Sequence, residues 1–233
     1  MAGRGARFGN IDTIKPLIDV AGEPMFKRAV DTLDLPGRLI FCLHREHVRR
    51  YGIDAVVLEH YPEAEIVIVD DTAGPADTCI QAVALINNDD ELVIANCDQY
   101  MTWNPQRFLT FIEHTSADGI VVCYPCSRAT DCFVRVDDND VVDLIVEKRV
   151  ISDIASNGIH WWRHGRDFIR AAQTGERAHD GEPYVCPTYN AMIKAGSKVV
   201  VYRIPAEVHH AIGIPEDLEL FLEKLRRGDL PHE

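Results

Sequence analysis

Short runs of aliphatic and β-branched residues alternate along the chain with segments whose apolar positions recur every three or four residues. Runs of the first kind read as strands and segments of the second as amphipathic helices. Strands are predicted at 38–43, 65–69, 92–96, 119–124, 132–136, 141–147, 158–162 and 198–203. Helices are predicted at 24–34, 75–88, 105–115, 164–175, 184–195 and 215–227, the first opened by Pro24. Asp137-Asp138-Asn139-Asp140 falls between two strands and reads as a hairpin turn. The alternation predicts an α/β domain, a sheet covered by helices. No internal repeat, low-complexity stretch or long linker interrupts it. Residues 1–233 therefore read as a single domain.

Composition narrows the class. The chain has 233 residues, of which 46% are hydrophobic, enough for a sizeable core. A net charge of −13 argues against a broad nucleic-acid or anionic-membrane surface. Positive charge is instead local. Residues 1–28 hold Arg4, Arg7, Lys15, Lys27 and Arg28 against Asp12, Asp19 and Glu23, while the remainder carries −15. No secretory signal is visible, and no run approaches the roughly 18 apolar residues that span a bilayer. Seven cysteines at irregular spacing fit a reducing compartment, so a cytoplasmic protein is expected.

Four segments carry candidate chemistry. The first is Met1-Ala2-Gly3-Arg4-Gly5-Ala6-Arg7-Phe8, followed by Lys15-Pro16-Leu17-Ile18. Glycines let backbone N–H groups approach phosphate oxygens, with Arg7 offering a planar fork and Lys15 a point charge. A flexible basic N-terminus is the plain alternative. The second, Asp71-Thr72-Ala73-Gly74-Pro75-Ala76-Asp77-Thr78, puts small residues at a strand-to-helix junction, where a flat base can lie, or where an ordinary cap sits. The third, Leu92 to Tyr100, is a strand followed by Asn96-Cys97-Asp98-Gln99, which brings the Asp98 carboxylate to the edge where α/β folds bind ligands. One carboxylate with phosphate oxygens suits Mg²⁺; a turn-forming Asp is the alternative. The fourth is Val146-Glu147-Lys148 with Ser156-Asn157-Gly158. There Lys148 suits a second phosphate, or a surface ion pair. Cys123-x-x-Cys126 is only half a zinc site. His209-His210, adjacent in an extended segment, read as a pocket edge or as solvated. Tyr184, Tyr189, Trp161 and Trp162 shape a pocket or fill core.

In this order the segments resemble the sugar-phosphate nucleotidyltransferase (nucleotide-sugar pyrophosphorylase-like) superfamily. The matching run includes Gly22-x-Pro24-Met25, Gly74-x-Ala76-Asp77, Asp98, Glu147-Lys148, Asn157-Gly158 and Gly213-x-Pro215-Glu216-Asp217. The wording of Ala95-Asn96-x-Asp98-Gln99-Tyr100 and Tyr184-Val185-Cys186-Pro187-x-Tyr189-Asn190 is similar to short capsule-biosynthesis cytidylyltransferases, including the CTP:phosphoglutamine type. The resemblance implies a Rossmann-like nucleotidyltransferase fold related to the GT-A glycosyltransferases, with a mixed, mostly parallel sheet and helices on both faces. Residues 1–115 would mainly bind the nucleotide and 116–233 the acceptor. It implies an Mg²⁺-dependent enzyme that joins an NTP, CTP above all, to phosphoglutamine or a sugar phosphate for surface polysaccharide, releasing pyrophosphate. Ala2, Gly3, Gly5, Arg7, Lys15, Gly74, Ala76 and Asn96 would hold the nucleotide, and Asp98 the metal. Lys148, with Glu147, Asn157, Gly158 and Glu182, would hold the acceptor.

Three departures from the family pattern stand out. No strand precedes the glycines, which begin at residue 3, so the family's first β-strand is missing from the pattern. Ala211 stands where many members place another metal-binding Asp, and Ile214 where a Thr is usual. A nucleotide-sugar-dependent glycosyltransferase and a catalytically degenerate nucleotide-binding protein are the alternative readings.

Overall fold

The computed structural model describes residues 1, 8, 12–175 and 177–231. Ala2, Gly3, Gly5 and Arg7 of the glycine run lie outside the described residues. The chain forms two compact units, each drawn from separate stretches: Met1–Asp71, Asn96–Leu109 and Glu207–Glu233 in the first, Thr72–Ala95 and Thr110–Ala206 in the second.

In the first unit, strands Ile40–His44 and Glu65–Val69 pair in parallel. Period-two alternation buries Phe41 and Leu43 on one face. They pack with Phe26, Ile53 and Val57 from helices Met25–Leu33 and Ile53–His60. Helix Arg45–Tyr51 was not anticipated. It is charge-rich and ends at Gly52, whose φ of +59° closes one helix and opens the next. Helix Pro215–Arg227 appears as predicted. Proline sits in its first turn with Glu216 and Asp217, and Lys224, Arg226 and Arg227 lie in its last turn, before left-handed Gly228. Its Leu218 and Phe221 close a second core with Val20, Met25 and Ile212. A short antiparallel pair, Gln99–Met101 with His209–Ala211, runs beside it. His210 is buried there, its ring 6.3 Å from Tyr100 and 5.8 Å from Phe221. The reading of that histidine as solvated is corrected: Phe221, on the apolar face of the charge-rich helix Pro215–Arg227, packs against it.

The second unit is a six-stranded sheet in the order Val199–Arg203, Gly119–Pro125, Ile154–Trp162, Cys132–Val136, Val142–Glu147, with Leu92–Ala95 also pairing Ile154–Trp162. The sheet is mixed, as expected, but its balance differs. Among the described residues only Val199–Arg203 with Gly119–Pro125 pairs in parallel within it, and the other pairs are antiparallel. Hairpins such as 132–147 need only a short turn, whereas parallel neighbours need a crossover. Asp137–Asp140 is that turn, with Asp137 Oδ1 accepting from the N–H groups of Asn139 and Val141. Trp161, Trp162 and Tyr189 are fully buried, and the Trp162 and Tyr189 rings stack at 4.7 Å. Of the four aromatics noted in the sequence, these three fill core. Three predicted helices are markedly shorter, and of these 164–175 contracts to Gly165–Ala172. Segment 75–88 splits into Pro75–Ile80 and Val83–Ile86, and 184–195 begins as a 3-10 turn, Cys186–Thr188, before helix Tyr189–Lys194.

Candidate functional site

Lys15 and Asp98 meet in the first unit. Lys15 opens a 3-10 turn, Lys15–Leu17, anchored by buried Pro16. Asp98 stands just ahead of strand Gln99–Met101, and its carbonyl accepts from the N–H of Ile212 at 3.0 Å. The Lys15 ammonium donates to Asp98 Oδ2, with 21% and 26% of the two side chains exposed. The pair is thus accessible yet partly shielded, where charge interactions are stronger than in bulk water.

Gly213 makes room for this pair. A Cβ at that position would press into the Asp98 carboxylate and lie 3.1 Å from its Cγ and 3.2 Å from Lys15 Nζ. The glycine of the Gly213-x-Pro215-Glu216-Asp217 run therefore leaves the ion pair in the place a side chain would take. Among the described residues no three His, Cys, Asp or Glu group as a metal site, either at Asp98 or around Cys123-x-x-Cys126. Cys126 instead donates to Asp131 Oδ2. Asn96 is exposed.

The second unit gathers most of the remaining candidates. Gly74 precedes helix Pro75–Ile80, and a Cβ there would meet Glu182 Cγ at 2.7 Å and Pro183 Cδ at 2.8 Å. The Ala76 N–H donates to Pro183 O at 2.9 Å. The small residues at this junction therefore accommodate the Glu182-Pro183 segment of the same chain, side-chain carbons and the Pro183 carbonyl together. Glu182 accepts in turn from the Tyr184 hydroxyl, which also contacts Lys148 Nζ. Lys148 Nζ donates to Asp180 Oδ2 at 2.8 Å and lies 4.6 Å from the Tyr184 ring centre. One chain of contacts so links Gly74, Glu182, Tyr184 and Lys148.

Lys148 has a left-handed backbone, φ +56°, uncommon for a residue other than glycine and a kind of strain that clusters at functional positions. Its N–H donates to Asp131 O, which holds the turn at the end of strand Val142–Glu147. The hydrogen bond from Lys148 holds the Asp180 carboxyl down at about 2, and the same bond raises the lysine. Burial, reinforced by Glu182, raises the Tyr184 phenol. Glu147 is pushed up to about 7 by burial, against the lowering influence of the Cys132 thiol and of Lys148. A carboxyl that titrates near neutrality beside a fixed ammonium can either donate or accept a hydrogen bond to a ligand.

Asn157 and Gly158 form a bulge in strand Ile154–Trp162. Asn157 Oδ1 accepts from the Ile159 N–H at 3.0 Å, and Gly158 takes φ +88°. Asn157 is 3% exposed, so its side chain helps to hold the bulge. Asp180 gave no signal in the sequence; it lies in an irregular loop, and only folding brings it to Lys148.

The sequence of residues 1–227 matches the family model for the MobA-like NTP transferase domain. Curated proteins yield no match. The fold is similar to that of a nucleoside-diphosphate-sugar pyrophosphorylase from Vibrio cholerae RC9, with TM-score 0.81, 18% identity, and 95% of this chain and 97% of that one covered. It is also similar to a UDP-glucose pyrophosphorylase complexed with UDP-glucose, with TM-score 0.78, 14% identity, and 97% and 96% covered. A UTP-bound UGPase from Acinetobacter baumannii gives TM-score 0.73 at 13% identity, with 96% and 90% covered. These likenesses agree with the α/β nucleotidyltransferase fold read from the sequence. With a family model matched over nearly its whole length, the chain belongs to the MobA-like NTP transferase domain family, enzymes of nucleotidyl transfer.

Proposed function

We propose that the protein joins an NTP, CTP in the first instance, to the phosphate of a phosphorylated small molecule and releases pyrophosphate. Phosphoglutamine or a sugar phosphate is the acceptor, and a surface polysaccharide the destination. The observation that carries this reading is the Lys15–Asp98 pair seated on Gly213, where any side chain would displace it. Such a pair can separate around a nucleotide, with lysine turning to the triphosphate and carboxylate to a cation.

Asp98 is partly exposed and carries hard oxygen donors, which suits Mg²⁺, an ion that keeps several waters and takes few carboxylates. Held by Asp98, Mg²⁺ would supply neutralisation of the charge that builds on the leaving pyrophosphate. Lys15 adds a fixed positive charge to the same oxygens. Arg7 and the backbone of Ala2, Gly3 and Gly5 complete the phosphate cradle by the family pattern, and Gly74, Ala76 and Asn96 border the nucleoside. Lys148 exchanges Asp180 for the acceptor phosphate, with Glu147, Asn157, Gly158 and Glu182 around the rest of that molecule. An acceptor phosphate oxygen then attacks the α-phosphorus in line. Phosphate is already anionic at neutral pH, so positioning and charge stabilisation carry the rate, and a general base is not required. In this scheme the chain works as one domain, with nucleotide contacts mainly from 1–115 and acceptor contacts mainly from 116–233.

Thermal shift with CTP, UTP, dTTP, ATP and GTP, each with and without Mg²⁺, tests the nucleotide half. At 100 times its dissociation constant a ligand stabilises by about 2.7 kcal/mol. A shift with CTP and Mg²⁺ larger than with the other nucleotides is expected. Pyrophosphate release with phosphoglutamine and a panel of sugar phosphates tests the rest. A sharp transition that no nucleotide moves would overturn the proposal, and sugar transfer without pyrophosphate would replace it.

A further inference from the structure

Lys148 takes its place from the turn between strands Gly119–Pro125 and Cys132–Val136. Tyr124 lies opposite Ala155, Ala155 opposite Phe133, and Phe133 opposite Val146. Directly opposed residues share a sheet face, so this row crosses the sheet on one side. Asp131 stands two residues before Phe133, a spacing that returns to the same face. The Tyr124 phenol therefore reaches past the intervening strand to Asp131.

Donors converge on the Asp131 carboxylate. The Tyr124 hydroxyl donates to Oδ2 at 2.7 Å, the Cys126 thiol to the same oxygen at 3.1 Å, and the Thr130 hydroxyl to Oδ1 at 3.2 Å. The turn closes on itself through the Asp131 N–H to Arg128 O at 3.0 Å and the Arg128 N–H to Cys126 Sγ at 3.3 Å. The Cys126 N–H, donating to Asp153 O at 2.9 Å, moors its start. What the held carboxylate fixes is its own main chain. Asp131 O accepts from the Lys148 N–H at 2.9 Å, and Lys148 is left-handed, with φ +56°. Such a backbone persists only where its surroundings over-determine it. Residues Ser127 to Thr130 are exposed, so Asp131 is the inner anchor of the turn.

We propose that Asp131, gripped by Tyr124 and Cys126, is the positioning residue that presents Lys148 to the acceptor phosphate. The inference rests on the reading of Lys148 as the lysine for that phosphate. Asp131 does not touch the substrate. It sets the main-chain conformation from which the Lys148 ammonium reaches outward, to Asp180 Oδ2 at 2.8 Å. Loosening the grip leaves the charge of Lys148 intact and blurs its position, which weakens a phosphate contact without abolishing it.

The test follows Lys148 itself in the full chain. The sequence holds six lysines, so nitrogen-15 labelling of lysine gives a simple amide NMR spectrum, in which Lys148→Arg assigns the signal wanted. Inorganic phosphate is titrated into wild type, Asp131→Ala, Tyr124→Phe, Cys126→Ala and Cys126→Ser. In wild type the Lys148 signal should move with phosphate and saturate. In Asp131→Ala its half-saturation should rise roughly tenfold, the scale of a lost hydrogen bond, and its amide should exchange with solvent faster by a like factor. The Lys15 signal should titrate as in wild type. Tyr124→Phe and Cys126→Ala should each give a smaller rise, and Cys126→Ser, which restores a donor, should return the wild-type titration. A turn that served stability alone would lower the melting temperature and leave the Lys148 titration where it was. That result in Asp131→Ala and Tyr124→Phe would overturn the proposal. Should Asp131→Ala fail to fold, Tyr124→Phe, which keeps the ring, decides alone. A wild-type Lys148 signal that phosphate leaves unmoved while Lys15 responds would instead sink the reading of Lys148 as a phosphate site, and this inference with it.

Discussion

Substituting Gly213 by alanine separates the architecture of the Lys15–Asp98 pair from general stability. The new methyl carbon would press into the Asp98 carboxylate at well under van der Waals separation, and it would also crowd Lys15 Nζ at 3.2 Å. Carbon and oxygen rest at about 3.2–3.5 Å, so the carboxylate must retreat by about 1 Å, and its lysine partner with it. Both are flexible, partly exposed side chains, so they can yield at a cost at the low end of the 1–3 kcal/mol typical of overpacking. A chain of this length shifts its melting temperature by about 2–4 °C per kcal/mol. The ligand-free protein should therefore melt within a few degrees of wild type. Catalysis is far less tolerant, because a displacement of about 1 Å at a charge-stabilising group costs on the order of 100-fold in rate. If nucleotide affinity falls tenfold, about 1.4 kcal/mol of ligand stabilisation disappears, or about 3–6 °C of the CTP–Mg²⁺ shift. Differential scanning fluorimetry with and without nucleotide, beside pyrophosphate release, measures both effects. A Gly213→Ala protein with wild-type nucleotide shift and turnover would refute the argument that Gly213 exists to seat the pair.

Lys148→Ala should raise the acceptor KM by roughly 10–100-fold, the scale of one charge-assisted contact, while leaving the nucleotide-induced thermal shift in place. Steady-state kinetics against calorimetric nucleotide binding separates the two, and equal loss of both would count against the role given to Lys148. Glu147 holds its proton up to about pH 7 in the folded protein, against an ordinary value of 4.5. The folded state thus binds more protons between those values, so stability is full below pH 4.5 and falls as pH rises through 7. The loss is on the order of 1–3 kcal/mol, and Glu147→Gln should flatten the melting temperature across pH 5–8. An unchanged pH profile would refute the buried-carboxyl assignment. Tyr189→Phe removes a buried hydroxyl that donates to Trp161 O at 2.8 Å and Ile120 O at 3.0 Å. It should destabilise by about 1–2 kcal/mol, read as a lower urea midpoint with unchanged slope.

Local pattern carried much of the fold. Strands 65–69 and 132–136 and helix 215–227 are observed with the predicted boundaries, because their ends are marked by local chemistry: Pro215, the charge order along its helix, Gly228, and the Asp137–Asp140 turn. Where local signals were mixed, the boundaries moved. Helix Arg45–Tyr51 is too charged and too short to show a clear apolar stripe. The segment after Tyr184 tightens into a 3-10 turn because Pro187 has no N–H to donate. At 81–82 the predicted helix gives way to turns closed by shorter bonds, Ala82 N–H to Cys79 O and Leu85 N–H to Ala82 O.

The sequence by itself determined the α/β class, the family and the order of the candidate motifs, since each depends on residue type and spacing along the chain. Tertiary structure decided what those residues touch. That Gly213 serves Asp98 and Lys15, that the space at Gly74 is taken by Glu182 and Pro183, and that Lys148 rests on Asp180 and Tyr184 are contacts between residues far apart in sequence. No periodicity encodes them, because side-chain neighbours across a fold are set by packing and strand register. The same holds for the Glu147 carboxyl, whose raised proton affinity arises from burial once the sheet and the elements around it have assembled.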